Sequence, residues 1–493
     1  MSLDSRLRAA LTPDNTPIDV HAELAEVLAG VGMNPADAGG TVAFRGADPI
    51  VPSTLRLASA AGIGLAAKSV ALAKLWRARG GEGQDITMDL RKAPHRLCPF
   101  YDFTWEKLNG FPPGVPSDPD NPMALSFYRA GDGRWVMPLN AYPRLKQRAL
   151  ELLDCADNTA AVTRAVAGWK AADLEQAGAE AGVVMPMLRT LEEFLTEPQY
   201  RDFLAHQPLV EVEKIADSAP EPLPESAGNP LDGIRALGMG HVIAGAGIGR
   251  TLALHGADVL NLWKPYEHEN DILYYTANVG VRSSLVDPHS PAGAQQVRDL
   301  LRDADIFYAN RRPGHLETIG LSAEQAAEVR PGVIHASVSL FGTEGPWADR
   351  VGFDQSAGCV TGMMSLEGTE DRPQLSPIAV VNDYLVSWLA TAGIVQALLR
   401  RATEGGSYRV HVSLTRVALW ILSLGTFDQE YARTTAGSGR EHAYLPPDTF
   451  TAETSCGSYQ GVTDQVEMSA TPGEYRTVLV PRGSSRAEWL PRG

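Results

Sequence analysis

Between residues 233 and 341 the chain alternates short apolar runs with helical stretches, and that alternation leaves few folds open. Gly233–Gly240 reads as a strand, Ile248–His255 as a helix, Ala257–Trp263 as a strand and Ala292–Asp303 as a helix. Asp305–Asn310 follows as a strand, Glu324–Val329 as a short helix and Val333–Phe341 as a strand. Strands separated by helices build right-handed βαβ units. The predicted class is therefore α/β, with a parallel sheet and ligands at the carboxyl ends of its strands.

The flanking sequence divides by composition. Residues 1–50 read as a lead-in rich in Gly, Ala and Asp. Residues 51–217 form a first module. It opens on an apolar helix ending at Gly80-Gly81, followed by the alternating strand Gln84–Leu90. A strand at Gly133–Leu139 and several Ala/Leu/Glu-rich helices come next. Residues 218–229 are acidic and Pro-rich, a linker composition. Residues 230–439 hold the alternating module, and 440–493 read as an extended tail. One internal repeat is visible. LAAKSVALAKLWRARGGEGQDITMDL (65–90) aligns with LATAGIVQALLRRATEGGSYRVHVSL (389–414) as helix, Gly-rich turn and strand.

At about 150 residues per domain, a chain of 493 residues holds several domains. Its 43 Lys and Arg against 59 Asp and Glu give a net charge of −16, a poor match for nucleic acid, which needs a basic face. Cys98, Cys155, Cys359 and Cys456 lie far apart without CxxC spacing, which disfavours a disulfide framework or zinc site and fits a reducing cytoplasm. The first residues show no apolar signal core. The uncharged run between Asp383 and Arg400 is short of the roughly 18 residues of a membrane span, so it reads as a core helix and no membrane partner is expected.

The motifs narrow the chemistry further. GAGIG (245–249) follows a strand but puts Arg250 where a dinucleotide fingerprint needs glycine, so a turn near a phosphate-bearing ligand fits better. GIGLAAKS (62–69) imitates a phosphate loop, yet it sits inside a helical pattern with Ala67 before Lys68. There is no GxSxG and no HExxH, and His335 reads as a core histidine, so Ser-His-acid hydrolysis and metal catalysis fall in rank. Asp383 stands immediately before the long apolar helix, where backbone N–H groups and the helix dipole favour an ionised carboxylate. Position alone leaves it either an ordinary N-cap or a nucleophile. Arg311 and Arg312 follow a strand, as an anion site or an exposed basic turn.

Several segments together resemble the class III CoA-transferases of the CaiB/BaiF type, with their formyl-CoA transferase and 2-methylacyl-CoA racemase relatives. They are PLDGIRALGMGHVIAGAGIGRTLALHGADVLNLWKP (230–265), VRSSLVD (281–287), ADIFYANRRPGHLETIGLSAEQ (304–325), RPGVIHASVSLFGTEGPWADRVGFDQSAGCVTGMMS (330–365) and PIAVVNDYLVSWLATAGIVQALLRR with GGSYRVHVSL (377–414). The resemblance implies a Rossmann-like large domain plus a smaller α+β domain. It also implies acyl-CoA:carboxylate CoA transfer, with Asp383 forming an aspartyl anhydride and then an aspartyl-CoA thioester. CoA contacts carry over to His241, Val242, Ala244, Lys264, Arg282, Val286, Asn310 and Arg311. Coenzyme A is then a substrate, with no tightly bound cofactor and no metal, and a homodimer is expected.

The sequence also departs from the family. The first module resembles the part of the family that follows the nucleophile, including the small domain, so the order is rearranged with the small-domain half first. Ala58 and Ser59 occupy the first copy's equivalent of Asp383, and neither can form an anhydride. Arg311 stands where the family often has an aromatic residue, and Thr318 where some members have Arg. Racemases place His within the Gly-x-Asp turn; here that turn is Gly352-Phe353-Asp354, and Phe353 moves no protons. A racemase or epimerase using another base, and a non-catalytic CoA-binding subunit, stand as alternatives.

Overall fold

The structure is a computed structural model describing residues 2–114, 120–224 and 228–491. Met1 of the predicted lead-in, 225–227 of the linker and 492–493 of the tail lie outside the described residues. The chain opens with α1 (Leu3–Ala9), α2 (Val20–Ala29), β1 (Gly39–Arg45), α3 (Leu57–Ala78) and β2 (Gln84–Asp89). A helical group follows, α4 (Pro143–Leu153), α5 (Thr159–Val166) and α6 (Ala171–Ala181), then β3 (Glu211–Ala216). The alternating part runs through β4 (Arg235–Met239), α7 (Ala244–Leu254), β5 (Asp258–Trp263), β6 (Arg282–Leu285), α8 (Pro291–Arg302) and β7 (Ile306–Ala309). It continues with α9 (Ala323–Val329), β8 (Ile334–Ser339), α10 (Asp354–Thr361), α11 (Asp383–Glu404) and β9 (Ser407–Ser413). Last come β10 (Thr449–Thr454), β11 (Gly457–Val462) and β12 (Val466–Met468).

The expected parallel sheet is present, with strand order β3-β9-β8-β7-β4-β5-β6. All pairs are parallel except β9 with β3. The chain leaves β4 outward through β5 to β6, then returns to β7 on the other side of β4. That reversal opens a crevice between the carboxyl ends of β4 and β7, where such sheets bind ligands.

Residues 2–50 are folded rather than a lead-in. β1 pairs parallel with β2, and Asp19 caps α2 through the N–H groups of His21 and Ala22. The signal was weak because β1 is an edge strand with no buried residue. The boundary drawn at 217 also dissolves. β3, from the first module, pairs antiparallel with β9 and completes the main sheet. One apolar cluster joins Leu65 and Leu72 of α3 with Leu389 and Leu398 of α11. The linker is pinned where it is described, with Glu221 accepting from Arg330 at 2.7 Å and Ser218 Oγ accepting from Gly406 N–H at 2.8 Å. The strand expected at Gly133–Leu139 shrinks to Trp135–Val136, paired with Tyr128–Arg129.

The repeat in sequence is a repeat in structure. α3 and α11 are each 22 residues, and each feeds a strand, β2 and β9. The two helices pack on one another: a side chain at Gly64 would meet Leu385 at 2.7 Å and Trp388 at 3.3 Å. Among the described residues α3 is long and apolar enough to cross a membrane, yet 94% of its apolar window is buried in the protein. Lys68, from the imitation phosphate loop, is buried on α3 and paired with Asp464.

The tail is not free. β12 joins β2 antiparallel, and β10 and β11 form a hairpin. Beyond them Ser484 bridges Ser284, and Trp489 donates to the Leu300 carbonyl at 2.9 Å, so residues 484–489 run along β6 and α8.

Candidate active site at the sheet crevice

The loop leaving β4 holds the clearest built feature. Asn261 of β5 binds Gly240 twice, accepting from its N–H at 2.8 Å and donating to its carbonyl at 3.0 Å. Asn310, just beyond β7, treats His241 the same way, with both bonds at 2.8 Å. Glu269 then accepts from the Val242 N–H at 2.8 Å. Val242 has φ +58°, a left-handed conformation that a β-branched residue adopts only under constraint. Three side chains from separate segments supply that constraint. Asn310→Ala removes both bonds to His241; we expect a loss of about 2 kcal/mol of stability, checked by thermal melts.

The Gly-rich segment does not make a ligand turn. α7 begins at Ala244, so Gly245–Gly249 lie within its first turns, all buried. A Cβ would meet Asn310 Oδ1 at 2.3 Å from Gly245, Ser387 Oγ at 2.6 Å from Gly247 and the Tyr308 hydroxyl at 2.2 Å from Gly249. The glycines let α7 lie close against α11 and β7. Gly247→Val overpacks that contact, and we expect thermal unfolding to show a loss of about 1–3 kcal/mol.

Asp383 is the first residue of α11, with Asn382 as N-cap. The capping bonds expected of it belong to another residue. Asp354, the first residue of α10, accepts from the N–H groups of Val381 at 3.3 Å, Asn382 at 2.5 Å and Asp383 at 2.9 Å. Asp354 is 3% exposed and Asp383 7%. Burial raises both carboxyl pKa values, but the three N–H bonds oppose the rise at Asp354. Among the described residues Asp383 accepts no such bonds; burial, then the charge of Asp354, pushes its pKa well above the ordinary carboxylate value. The proton of the pair therefore rests on Asp383. This corrects the expectation of an Asp383 kept ionised by its helix. The signal lay in the Gly352-Phe353-Asp354 turn, read only for its Phe.

A cavity of about 1200 Å³ opens over this end of the sheet, and Asp383 lines it. His241, Val242, Ala244, Lys264, Asn310 and Arg311 line it too. Arg282 and Val286 do not. Arg282 points to Asp258 at 2.8 Å and donates to the Glu488 carbonyl beneath the tail, and Val286 is in the core. Arg311 is engaged by Glu267 and by the Met239 carbonyl. The basic cluster of Lys264, Arg282 and Arg311 is thus reduced to Lys264, which makes no ion pair among the described residues. His335 is buried with Nε2 on the Leu321 carbonyl, and burial lowers its pKa to about 4. No group of metal-ligating side chains occurs among the described residues.

Two wall residues, Tyr142 and Glu267, and the buried Glu269 behind them had no sequence signal as site residues. Tyr142 comes from the first module; its ring stacks on Phe353 with centroids 5.8 Å apart, and its hydroxyl donates to Glu269 at 2.6 Å. Glu267 and Glu269 lie 4.0 and 3.4 Å from His241 Nε2. They stand on the irregular stretch between β5 and β6, where spacing carries no pattern.

Residues 231–463 match the family model described as CoA-transferase family III. The formyl-CoA:oxalate CoA-transferase of Streptomyces avermitilis is 31% identical over 211 residues, 41% of this chain and 51% of that protein. The succinate–glutarate CoA-transferase of Agrobacterium fabrum is 29% identical over 212 residues, 39% of this chain and 53% of that protein. A crystal structure of a CAIB/BAIF family protein from Brucella suis aligns with TM-score 0.36 and 27% identity, covering 47% of this chain and 65% of that one. The chain spans about half the length of these curated relatives.

Proposed function

We propose, from the premise that residues 231–463 are a CoA-transferase family III segment, that the protein moves CoA from an acyl-CoA donor to a carboxylic acid, with Asp383 as nucleophile. The observation that carries this is the division of labour at α11. Asp354 takes the capping bonds and leaves the Asp383 carboxyl on the cavity wall, without a hydrogen bond among the described residues. An ordinary N-cap would be the acceptor itself.

In this mechanism the ionised Asp383 attacks the donor thioester carbonyl and the C–S bond breaks, giving an aspartyl anhydride and CoA thiolate. The thiolate attacks the aspartyl carbonyl and releases the donor acid; an acceptor carboxylate then takes the acyl-bound CoA by the reverse steps. Lys264 is the cation for CoA phosphate, and the loop fixed by Asn261, Asn310 and Glu269 forms the floor. Tyr142 and Phe353 give the acyl end an aromatic wall. Phe353 carries no proton, so a racemase reading lacks the histidine of its acid–base pair at that turn. The free thiols of the four cysteines agree with a reducing cytoplasm, and a homodimer, measurable by light scattering, belongs to the same proposal.

A second reading, a CoA-binding subunit without catalysis, draws support from the raised Asp383 pKa and the acidic Glu267 and Glu269 beside the site. Isotope exchange between acyl-CoA and free acid, with mass spectrometry of the Asp383 peptide, separates the two. Exchange with an Asp383 adduct supports transfer; CoA binding without exchange overturns it.

A further inference from the structure

The far side of the same cavity holds a second set of reactive side chains. His411 of β9 is opposite Ser337 of β8 and Glu211 of β3. Ser339 lies two residues beyond Ser337, on the same face of β8. Ser339 Oγ and His411 Nε2 are 2.9 Å apart, and His411 Nδ1 is 3.6 Å from Glu211 Oε2. Ser339, His411 and Glu211 all line the cavity.

The short bonds set the direction at Ser339, while the Gln207 amide nitrogen, 3.4 Å from His411 Nδ1, is a longer contact that competes for that ring nitrogen. The Gly342 N–H donates to Ser339 Oγ at 3.0 Å, which leaves the serine O–H free to donate to His411 Nε2. In the tautomer that accepts from Ser339, His411 carries its proton on Nδ1, which faces the Glu211 carboxylate. The Gln207 amide donates to the other oxygen of Glu211 and holds it in place. His411 is 1% exposed, so its ring is fixed by packing while Ser339 opens to the cavity. A hydroxyl, an imidazole that accepts from it and a carboxylate behind that imidazole are the parts of an activated serine. The His–Glu separation is loose, as such contacts are before substrate tightens them.

We propose that Ser339, His411 and Glu211 form a second nucleophilic centre that hydrolyses acyl esters and thioesters. Ser339 Oγ bonds to the acyl carbon while its proton passes to His411 Nε2. The C–S or C–O bond breaks, and the leaving thiol or alcohol takes that proton. Water then attacks the acyl-serine, giving one proton through His411 back to Ser339 and releasing the carboxylic acid. The thioester substrate rests on the CoA reading above; the ester chemistry does not.

The test uses the full chain. A fluorophosphonate probe should leave an adduct mapped by tandem mass spectrometry to Ser339. Both His411→Gln and Ser339→Ala should lower p-nitrophenyl acetate hydrolysis by at least about tenfold, and His411→Gln should slow labelling by a similar factor. A hydrogen bond that only joined β8 to β9 would give no adduct. No adduct on Ser339, or unchanged labelling and hydrolysis in His411→Gln, overturns the proposal even if Ser339→Ala fails to fold. Isotope exchange on the same preparation keeps the two ideas apart. Exchange without a Ser339 adduct sinks this centre alone; an adduct without exchange sinks CoA transfer alone.

Discussion

Asp383→Ala should abolish exchange of CoA between acyl-CoA and free acid, lowering the rate by about 10⁴-fold or more, while CoA still binds with affinity close to that of the wild type. The residues that shape the loop beneath the proposed CoA site, Asn261, Asn310 and Glu269, make none of their bonds to Asp383. Stability gives an independent check. The folded-state pKa of Asp383 is raised by burial above its unfolded value. A group raised in this way contributes stability below the unfolded pKa, and that contribution is lost as pH rises toward the folded value. Asp383→Ala should therefore gain stability relative to wild type as pH rises from the ordinary carboxylate range. Thermal melts across that range test it: a gap between the two proteins that does not change with pH contradicts a raised Asp383. A retained exchange rate contradicts its role as nucleophile.

Asp354 should produce the largest structural effect. Asp354→Ala leaves the N–H groups of Val381, Asn382 and Asp383 without their acceptor at a buried helix start. Caps and unpaired buried donors together put the cost at about 3 kcal/mol, read as a lowered denaturation midpoint. Asp354→Asn separates shape from charge. It keeps an oxygen toward the helix and removes the negative charge that adds to burial in raising Asp383. The active form of Asp383 is the carboxylate, so the acidic limb of the rate profile should lie above the ordinary carboxylate range in wild type. It should move to lower pH in Asp354→Asn. An unmoved limb would assign the titration to another group.

The alternating part was legible in the sequence nearly element by element because buried parallel strands are continuous apolar runs bounded by glycine or charge. Val333–Phe341 became β8 (Ile334–Ser339) and Ala292–Asp303 became α8 (Pro291–Arg302) with ends shifted by a few residues at most. The repeat was legible for a similar reason, since a helix buried on all sides has no polar face to obscure its composition. β1 was not legible: an exposed edge strand beginning Gly-Gly carries no alternation. That Arg282 and Arg311 are held by carboxylates was not legible for a common reason. A cation in sequence has no visible partner, and the carboxylates that engage them, Asp258 and Glu267, stand 24 and 44 residues away.

The sequence alone determined the parallel α/β sheet, the family resemblance of its second half and the one carboxylate at the start of the long apolar helix. These are properties of local pattern: periodicity, turn residues and a residue type at a helix boundary. Only the tertiary structure decided which carboxylate caps that helix and which keeps its proton, because Asp354 and Asp383 meet through folding and their burial sets the pKa order. It alone made one body of the two supposed modules, by pairing β3 with β9 and packing α3 on α11. It alone assembled Ser339, His411 and Glu211 across three strands, a constellation with no GxSxG to announce it. Strand pairing sets its spacing, and chain separation carries no trace of that register.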